Sequence, residues 1–433
     1  MTPAARLSAA IEVLEAIDAR PRPAGDAMKE WGLAHRFAGS GDRAAISGLV
    51  YDALRRRASS TWIMGEESPR AILLGTLRLA RGLEVDAIEK LADGSRFAPA
   101  PLDENERARL ASPNLQEAPL HVQGDYPEWL DPHFAQTFGD ARGEEGAALA
   151  QRAPLDLRVN TLKTDRDKAR EALAHFNSAE TRWSPAGLRI QLSAEGKQPP
   201  VTSEPVFLKG GFEIQDEGSQ LAALLTGAAP GQHVLDLCAG SGGKTLAIAA
   251  QMENRGQVFA YDGDPRRLAP IHERLKRAGA RNVQVRSPKG HKDVLDDLAG
   301  HMDIVLIDAP CTGTGVWRRN PDAKWRMRPG ALEIRVKEQA ELLDHAMRFL
   351  KPDGRIVYVT CSVLDAENGA QVRAFAERSD RFAPLPVADV VKKALGERGA
   401  ILRAAALVNA EGILLSPRRT DTDGFFIAAL AQR

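Results

Sequence analysis

A chain of 433 residues divides by length into two or three domains, and with 43% apolar and 27% charged residues neither disorder nor a repetitive coiled coil is its main architecture. Aromatic residues at 5% leave a mostly aliphatic core. The 58 Lys and Arg balance the 58 Asp and Glu, so only local patches can argue for nucleic acid or membrane.

The first part reads as helix. Leu7, Ile11, Leu14 and Ile17 share one face, Ile46, Val50 and Leu54 repeat the spacing after a Gly-Ser-Gly-Asp turn at 39–42, and Ala71 to Leu91 continues it. We assign an all-α domain to residues 1–135, with Asn105–Trp129, richer in Pro and charge, as its outgoing link. From Leu155 the texture changes. Leu155–Asn160 alternates as a strand does, Asp165–Phe176 reads as a helix and Leu188–Leu192 as a second strand, giving a small α/β domain over 145–214.

Over residues 215–433 short aliphatic runs alternate with helical segments. Val234–Leu237, Val258–Tyr261, Val283–Val285, Ile304–Ile307 and Ile356–Val359 suit buried parallel strands, and Thr245–Met252, Arg266–Ala278 and Ala331–Leu350 suit helices. Ile413–Leu415 and Phe425–Leu430 flank a polar turn as an antiparallel pair. The predicted fold is α/β, a doubly wound sheet with a terminal hairpin, whose ligands belong at the carboxyl ends of its strands. No run approaches the roughly 20 apolar residues of a membrane helix, and Glu12, Glu15 and Asp18 oppose a transit peptide. The three cysteines, Cys238, Cys311 and Cys361, are too few and too far apart for a disulfide framework or a zinc site. A soluble, cytoplasmic, metal-free monomer is the expectation.

The chemistry gathers where the strands end. The first parallel strand runs into Asp236-Leu-Cys-Ala-Gly-Ser-Gly-Gly-Lys-Thr245, where Gly240, Gly242 and Gly243 permit a tight turn and close ligand approach before a helix. A P-loop would place a further glycine where Cys238 stands, with Asp308 as its metal-holding acid, and a dinucleotide fingerprint would need glycine at Thr245. Neither pattern is complete, and a plain structural turn is the remaining alternative. The second strand ends at Asp262, placed to accept hydrogen bonds from both hydroxyls of a ribose, since Asp264 before Pro265 serves better as the helix cap. Acids after these strands without a phosphate cradle favour an adenosyl ligand lacking phosphates. The fourth strand leads into Asp308-Ala-Pro-Cys311 and the fifth into Thr360-Cys361-Ser362, so two of the three cysteines stand where such sheets do their chemistry. A thiolate nucleophile suits an electrophilic ring carbon.

These segments resemble the RsmB/Nop/Sun family of S-adenosylmethionine-dependent RNA cytosine-5 methyltransferases, from about Leu157 onward. The resemblance rests on Arg158-Val-Asn-Thr-Leu-Lys163, Gln215-Asp-Glu-Gly-Ser-Gln220, Asp236–Thr245, Asp308–Cys311, Thr360–Ser362 with Glu367-Asn368, and Asp423-Gly-Phe-Phe426. The helical front, with Asp42-Arg43 leading into Ile46–Arg57, is similar to the NusB-like RNA-binding domain of the bacterial ribosomal members. The resemblance implies a methyltransferase domain over 215–433, with the small α/β domain binding substrate in the manner of an RRM. It implies that the residue matching Cys361 bonds to cytosine carbon 6, that the one matching Cys311 helps remove the carbon-5 proton or release product, and that Asp308 lies against base and donor. It also implies that Cys238, Ala239, Gly240, Ser241, Gly242, Gly243 and Lys244 wrap the methionine part of the donor and that Asp262 takes its ribose. Acids such as Asp236 and Asp308 suit a sulfonium cation.

Two departures stand out. The family's Cys-Ala-Ala-Pro-Gly-Gly-Lys is here Cys-Ala-Gly-Ser-Gly-Gly-Lys, which predicts a looser turn, and the acid after the third strand is replaced by Ser287-Pro-Lys289, leaving backbone groups or Asp293 for the adenine. For RNA, Arg266–Lys292 holds nine basic residues against Glu273 alone, with a solvated helix face as the competing explanation. Cys311–Lys337 holds seven against two, interleaved with Trp317 and Trp325. Lys163, Arg318, Arg319, Lys324 and Trp325 are therefore expected to meet substrate. The favoured substrate is small-subunit (16S-type) ribosomal RNA, with transfer RNA next. A nucleotide hydrolase built on Gly240–Thr245 and a non-catalytic RNA-binding assembly factor are the readings from other classes.

Overall fold

Runs of branched aliphatic residues too short for helices become the strands of the larger sheet. In the computed structural model, which describes residues 1–192, 198–290 and 293–433, the chain forms two compact units. One holds residues 1–152 together with 317–328, and the other holds 153–192, 198–316 and 329–433.

The first unit is helical. Pro3–Ala19 opens with the Thr2 hydroxyl accepting the Ala5 N–H, and its Leu7, Val13, Leu14 and Ile17 pack with Ile46, Val50 and Leu54 of Ser40–Arg55 and with Ile72–Leu74 of Pro69–Leu79. The expected link at 105–129 is instead folded. Asp103 and Glu106 form a reciprocal cap that starts the helix Glu104–Ala111, and Leu110, Val122 and Tyr126 are buried. Helix continues to Leu149, past the expected boundary at 135. The segment 317–328 completes this unit: Trp317 stacks on Phe134 with centroids 5.8 Å apart, and Trp325 packs on the helical core.

In the second unit, strands β1 (Leu155–Val159), β2 (Ala179–Glu180), β3 (Gly187–Ile190) and β4 (Phe212–Ile214) form a small antiparallel sheet in the order β2-β3-β1-β4. The large sheet contains β5 (His233–Asp236), β6 (Gln257–Tyr261), β7 (Val283–Arg286), β8 (Met302–Asp308), β9 (Leu350–Thr360), β10 (Phe382–Pro384), β11 (Leu407–Val408), β12 (Ile413–Leu415) and β13 (Phe425–Gln432). Its order is β11-β12-β13-β9-β8-β5-β6-β7, with β10 on β13. Strands β5 to β9 are mutually parallel, and β12 and β13 run antiparallel, as the doubly wound reading requires. The expected helix over 266–278 is two, Pro265–Leu268 and Ile271–Ala278, because Pro270 interrupts the hydrogen-bond ladder. From β5 the chain winds outward through β6 and β7, then returns to β8 on the other side, so the crevice where winding reverses lies between β5 and β8.

Among the described residues no helix is long and apolar enough to cross a membrane.

Candidate active site

Register brings the two cysteine loops together. Asp308 pairs with Val359, and the Ala309 N–H continues the ladder to the Val359 carbonyl at 2.8 Å. Cys311 and Cys361 follow within three residues of that pair, and their sulfurs lie 3.2 Å apart. The hydrogen bond with Cys361 and burial together push the Cys311 thiol well above its usual range, so Cys311 stays in its S–H form and can donate to the Cys361 sulfur. A cleft of about 900 Å³ opens on both sulfurs and is lined also by Asp308, Arg267, Arg335 and His345.

Two neighbouring residues hold these loops. The buried Glu367 carboxylate accepts the Thr312 N–H at 2.8 Å, the Thr312 hydroxyl, and the Gln339 side-chain amide at 3.0 Å; Gln339 also donates to the Pro310 carbonyl at 2.9 Å. Asn368 accepts the Thr360 hydroxyl and donates to the Ser362 carbonyl at 2.9 Å, bracketing Cys361. Sequence reading noticed the Glu-Asn pair without giving it a task, and Gln339 was missed. Gln339 sits on the helix Pro329–Ala346, where nothing in its neighbours distinguishes it from a surface glutamine.

Across the crevice, β5 leads into the glycine turn. Gly240 (φ +50°) and Gly242 (φ +85°) occupy left-handed conformations, and the helix Gly243–Gln251 starts directly after them. The Gly240 N–H donates to Asp262 at 2.9 Å, and the second Asp262 oxygen accepts the Asp264 N–H at 2.9 Å. Asp262 is thus a buried carboxylate at the end of β6, with Arg267 at 3.7 Å. Lys244 is also buried. Its ammonium pairs with Asp308 at 2.8 Å and faces the Phe425 ring at 5.0 Å. Asp236 accepts the Thr245 hydroxyl at 2.6 Å, and burial pushes its carboxyl up to about 7, so it adds less negative charge to the crevice than expected. Burial by the same wall raises the Cys238 thiol, so Cys238 is an inert side chain whose loop backbone is the useful part.

The turn is not loose, contrary to the expectation from its missing proline. Arg274 donates through one nitrogen to the Ser241 carbonyl at 2.8 Å and to its hydroxyl at 2.9 Å. Asp293 borders the depression that also contains Ser287 and Lys289, and its carboxylate is engaged by Arg348 and the Leu295 N–H.

The expected RNA contacts divide. Lys163 is exposed just after β1, with its ammonium beside Gly279. Lys324 belongs to the helical unit and is 1% exposed, with its ammonium on the Arg55 and Asp125 carbonyls, the former at 3.0 Å. Trp325 donates its indole N–H to the Leu54 carbonyl at 2.6 Å, Arg318 is buried with its own carbonyl accepting from Arg55, and Arg319 is half-buried. For Lys324, Arg318 and Trp325 the structure corrects the expectation, because their polar groups are enclosed within the fold. In the Arg266–Lys292 track, Arg274 and Arg277 pair with Glu213 and Arg286 with Asp297, while Lys292 lies outside the described residues. Among the described residues no three His, Cys, Asp or Glu side chains converge as metal ligands.

Residues 223–431 match the family model described as 16S rRNA methyltransferase RsmB/F, and residues 126–195 match the ferredoxin-like domain of RsmF/B-like methyltransferases. A protein of Synechocystis sp. named probable ribosomal RNA small subunit methyltransferase B is 29% identical over 90% of this chain and 91% of its own length. Ribosomal RNA small subunit methyltransferase B of Vibrio vulnificus is 33% identical over 72% of this chain and 68% of its own. A solved methyltransferase homolog protein from Pyrococcus horikoshii is 26% identical with a TM-score of 0.58, covering 72% of this chain and 98% of that one.

Proposed function

This chain belongs to the RsmB/F family of S-adenosylmethionine-dependent 16S rRNA methyltransferases, and from that premise we propose that it forms 5-methylcytosine in small-subunit ribosomal RNA through a cysteine–cytosine adduct. The observation that carries the reading is the pair of sulfurs 3.2 Å apart at the ends of adjacent parallel strands, beside the Asp308–Lys244 pair.

The residues present fit the donor. Asp262 and Asp308 offer carboxylates at the ends of β6 and β8, on either side of β5, a polarity suited to a sulfonium, and the left-handed glycines let backbone groups approach without a Cβ between them. Once bound, S-adenosylmethionine supplies an electrophilic methyl group on a positively charged sulfur. Cytosine carbon 5 is a poor nucleophile until a thiolate adds at carbon 6 and makes the ring enamine-like. Cys361 forms that carbon–sulfur bond, while Cys311, held as a thiol, donates toward the Cys361 sulfur. After transfer S-adenosylhomocysteine is the leaving group, the carbon-5 proton passes to solvent in the open cleft, and the C–H electron pair restores the ring double bond as the carbon 6–sulfur bond breaks and Cys361 departs as its thiolate, with Cys311 placed to donate to it. Asp308, steadied by Lys244, lies against base and donor, and Asp262 takes the ribose. Lys163 is the exposed cation we assign to RNA. A single chain carries both thiols, which supports a monomer as the acting unit, and ribosomal RNA as substrate supports a cytoplasmic reaction.

Transfer of labelled methyl into unmodified ribosomal and transfer RNA, followed by nucleoside analysis, tests this. Label in 5-methylcytidine of small-subunit RNA is the expected result; label confined to transfer RNA overturns the substrate, and label in another nucleoside overturns the chemistry. Cys361→Ala should abolish transfer while still binding donor. Cys311→Ala should accumulate a denaturant-stable protein–RNA adduct, because addition succeeds and release fails. Full turnover without adduct in that variant would remove Cys311 from the mechanism.

A further inference from the structure

We propose that Arg274 is a positioning residue for the methyl donor, holding the apex of the glycine turn in its binding geometry; this rests on the donor reading given above. The turn has two left-handed glycines, Gly240 and Gly242, on either side of Ser241, so its backbone has much conformational freedom to lose. Its flanks are fixed: the Ala239 N–H bonds the Tyr261 carbonyl at 2.8 Å, Gly240 N–H bonds Asp262 at 2.9 Å, and Gly242 N–H closes back on the Ala239 carbonyl at 2.9 Å. Ser241 is exposed between them, and both its carbonyl and its hydroxyl accept from the Arg274 guanidinium.

The other edge of that guanidinium is occupied. Its remaining two nitrogens reach one oxygen of Glu213 at 2.9 and 3.2 Å. Glu213 is buried on β4, and β4 pairs with β1 in the small sheet. Arg274 therefore spans from a paired strand to the exposed apex of the donor turn, a task for a planar fork with donors on two edges. The chain has Gly-Ser where the family pattern has Ala-Pro, and this bracket restores the restraint that a proline would give. An arginine engaged on both edges is also withdrawn from the basic track as a phosphate ligand.

Arg277 provides the control, because it pairs with the same Glu213 from the same helix, but its guanidinium lies over the Phe207 ring at 4.3 Å, whereas that of Arg274 reaches Ser241. The experiment is calorimetric titration of S-adenosylhomocysteine into the full-length wild type, Arg274→Ala, Arg274→Lys and Arg277→Ala. Arg274→Ala should weaken binding roughly tenfold through loss of charge-assisted hydrogen bonds. Arg277→Ala should stay within about twofold of wild type, since it loosens Glu213 without touching the turn. Arg274→Lys, which keeps the charge but cannot bridge both partners, should fall between and carries the comparison if the alanine variant does not fold. Wild-type affinity in Arg274→Lys and Arg274→Ala, or equal loss in Arg274→Ala and Arg277→Ala, would overturn the proposal. A wild type that fails to bind S-adenosylhomocysteine would instead overturn the donor reading on which it rests.

Discussion

A carboxyl with one oxygen bonded and the other enclosed is more stable protonated than charged, and Asp236 is in that position. One oxygen accepts the Thr245 hydroxyl, the other is buried without a partner among the described residues, and burial outweighs the Thr245 hydrogen bond to hold the group up near 7. The sign of the consequence follows from linkage. Between about pH 4, where the unfolded carboxyl releases its proton, and about 7, the folded chain binds more protons than the unfolded one. Asp236 therefore lowers stability as pH rises through that window, by on the order of 4 kcal/mol at most. Denaturant unfolding of wild type and Asp236→Asn between pH 4 and 7 should show a steeper decline in the wild type; parallel curves would mean that Asp236 is charged in the folded state. From sequence, Asp236 was legible as a residue at a strand end but not as a neutral one, because its protonation depends on Leu306 and the other neighbours that the sheet places around it.

At the scale of elements, the placing of the two thiols depends on the dipeptide Glu367-Asn368, which ties one cysteine loop with a carboxylate and the other with a carboxamide. Glu367→Ala removes both the oxygen that accepts the Thr312 N–H and the Gln339 amide and the one that accepts the Thr312 hydroxyl, leaving these donors unpaired, so the Cys311 loop must shift. In the proposed mechanism two sulfurs must both reach one ring, so displacements below an ångström matter, and the expected loss in single-turnover methyl transfer is about 10–100-fold. Affinity for S-adenosylhomocysteine should be unchanged, since the donor turn follows β5 and these loops follow β8 and β9. Equal loss of affinity and rate would indicate general damage to the sheet. The strands themselves were readable, because β5, β6, β8 and β9 are aliphatic runs that can only be buried on both faces. The short β10 and β11 were not, since Phe382–Pro384 and Leu407–Val408 pair only because β13 and β12 offer them edges. The thiol pair was legible as two strand-end cysteines; their 3.2 Å separation follows from a register that no local pattern encodes.

For the whole molecule, the informative error concerns residues 317–328. Basic and aromatic residues following Cys311 have the composition of an RNA track, and the same composition serves to complete a helical unit with carbonyl groups to satisfy. Lys324 shows which partner prevails: its ammonium bonds the Arg55 and Asp125 carbonyls, the Asp125 carboxylate accepts the Ser59 N–H at 2.9 Å, and burial brings the lysine down to about 7. A stretch that leaves the methyltransferase unit after Val316 and rejoins it at Pro329 thus supplies part of the other unit's interior, and no contiguous reading of 1–135 could include it. Replacing Lys324 with alanine leaves two carbonyls without their donor and a void beside Trp325, at a cost of roughly 2–4 kcal/mol. The full-length Lys324→Ala protein should accordingly melt several degrees lower. Its RNA affinity, measured at several salt concentrations below the melting range, should keep the wild-type salt dependence, because no phosphate contact is lost. If Lys324 met the RNA backbone instead, the melting temperature would hold and the slope of log affinity against log salt would fall by about 0.7–0.9. The two measurements move in opposite combinations, so together they decide whether this lysine serves the fold or the substrate.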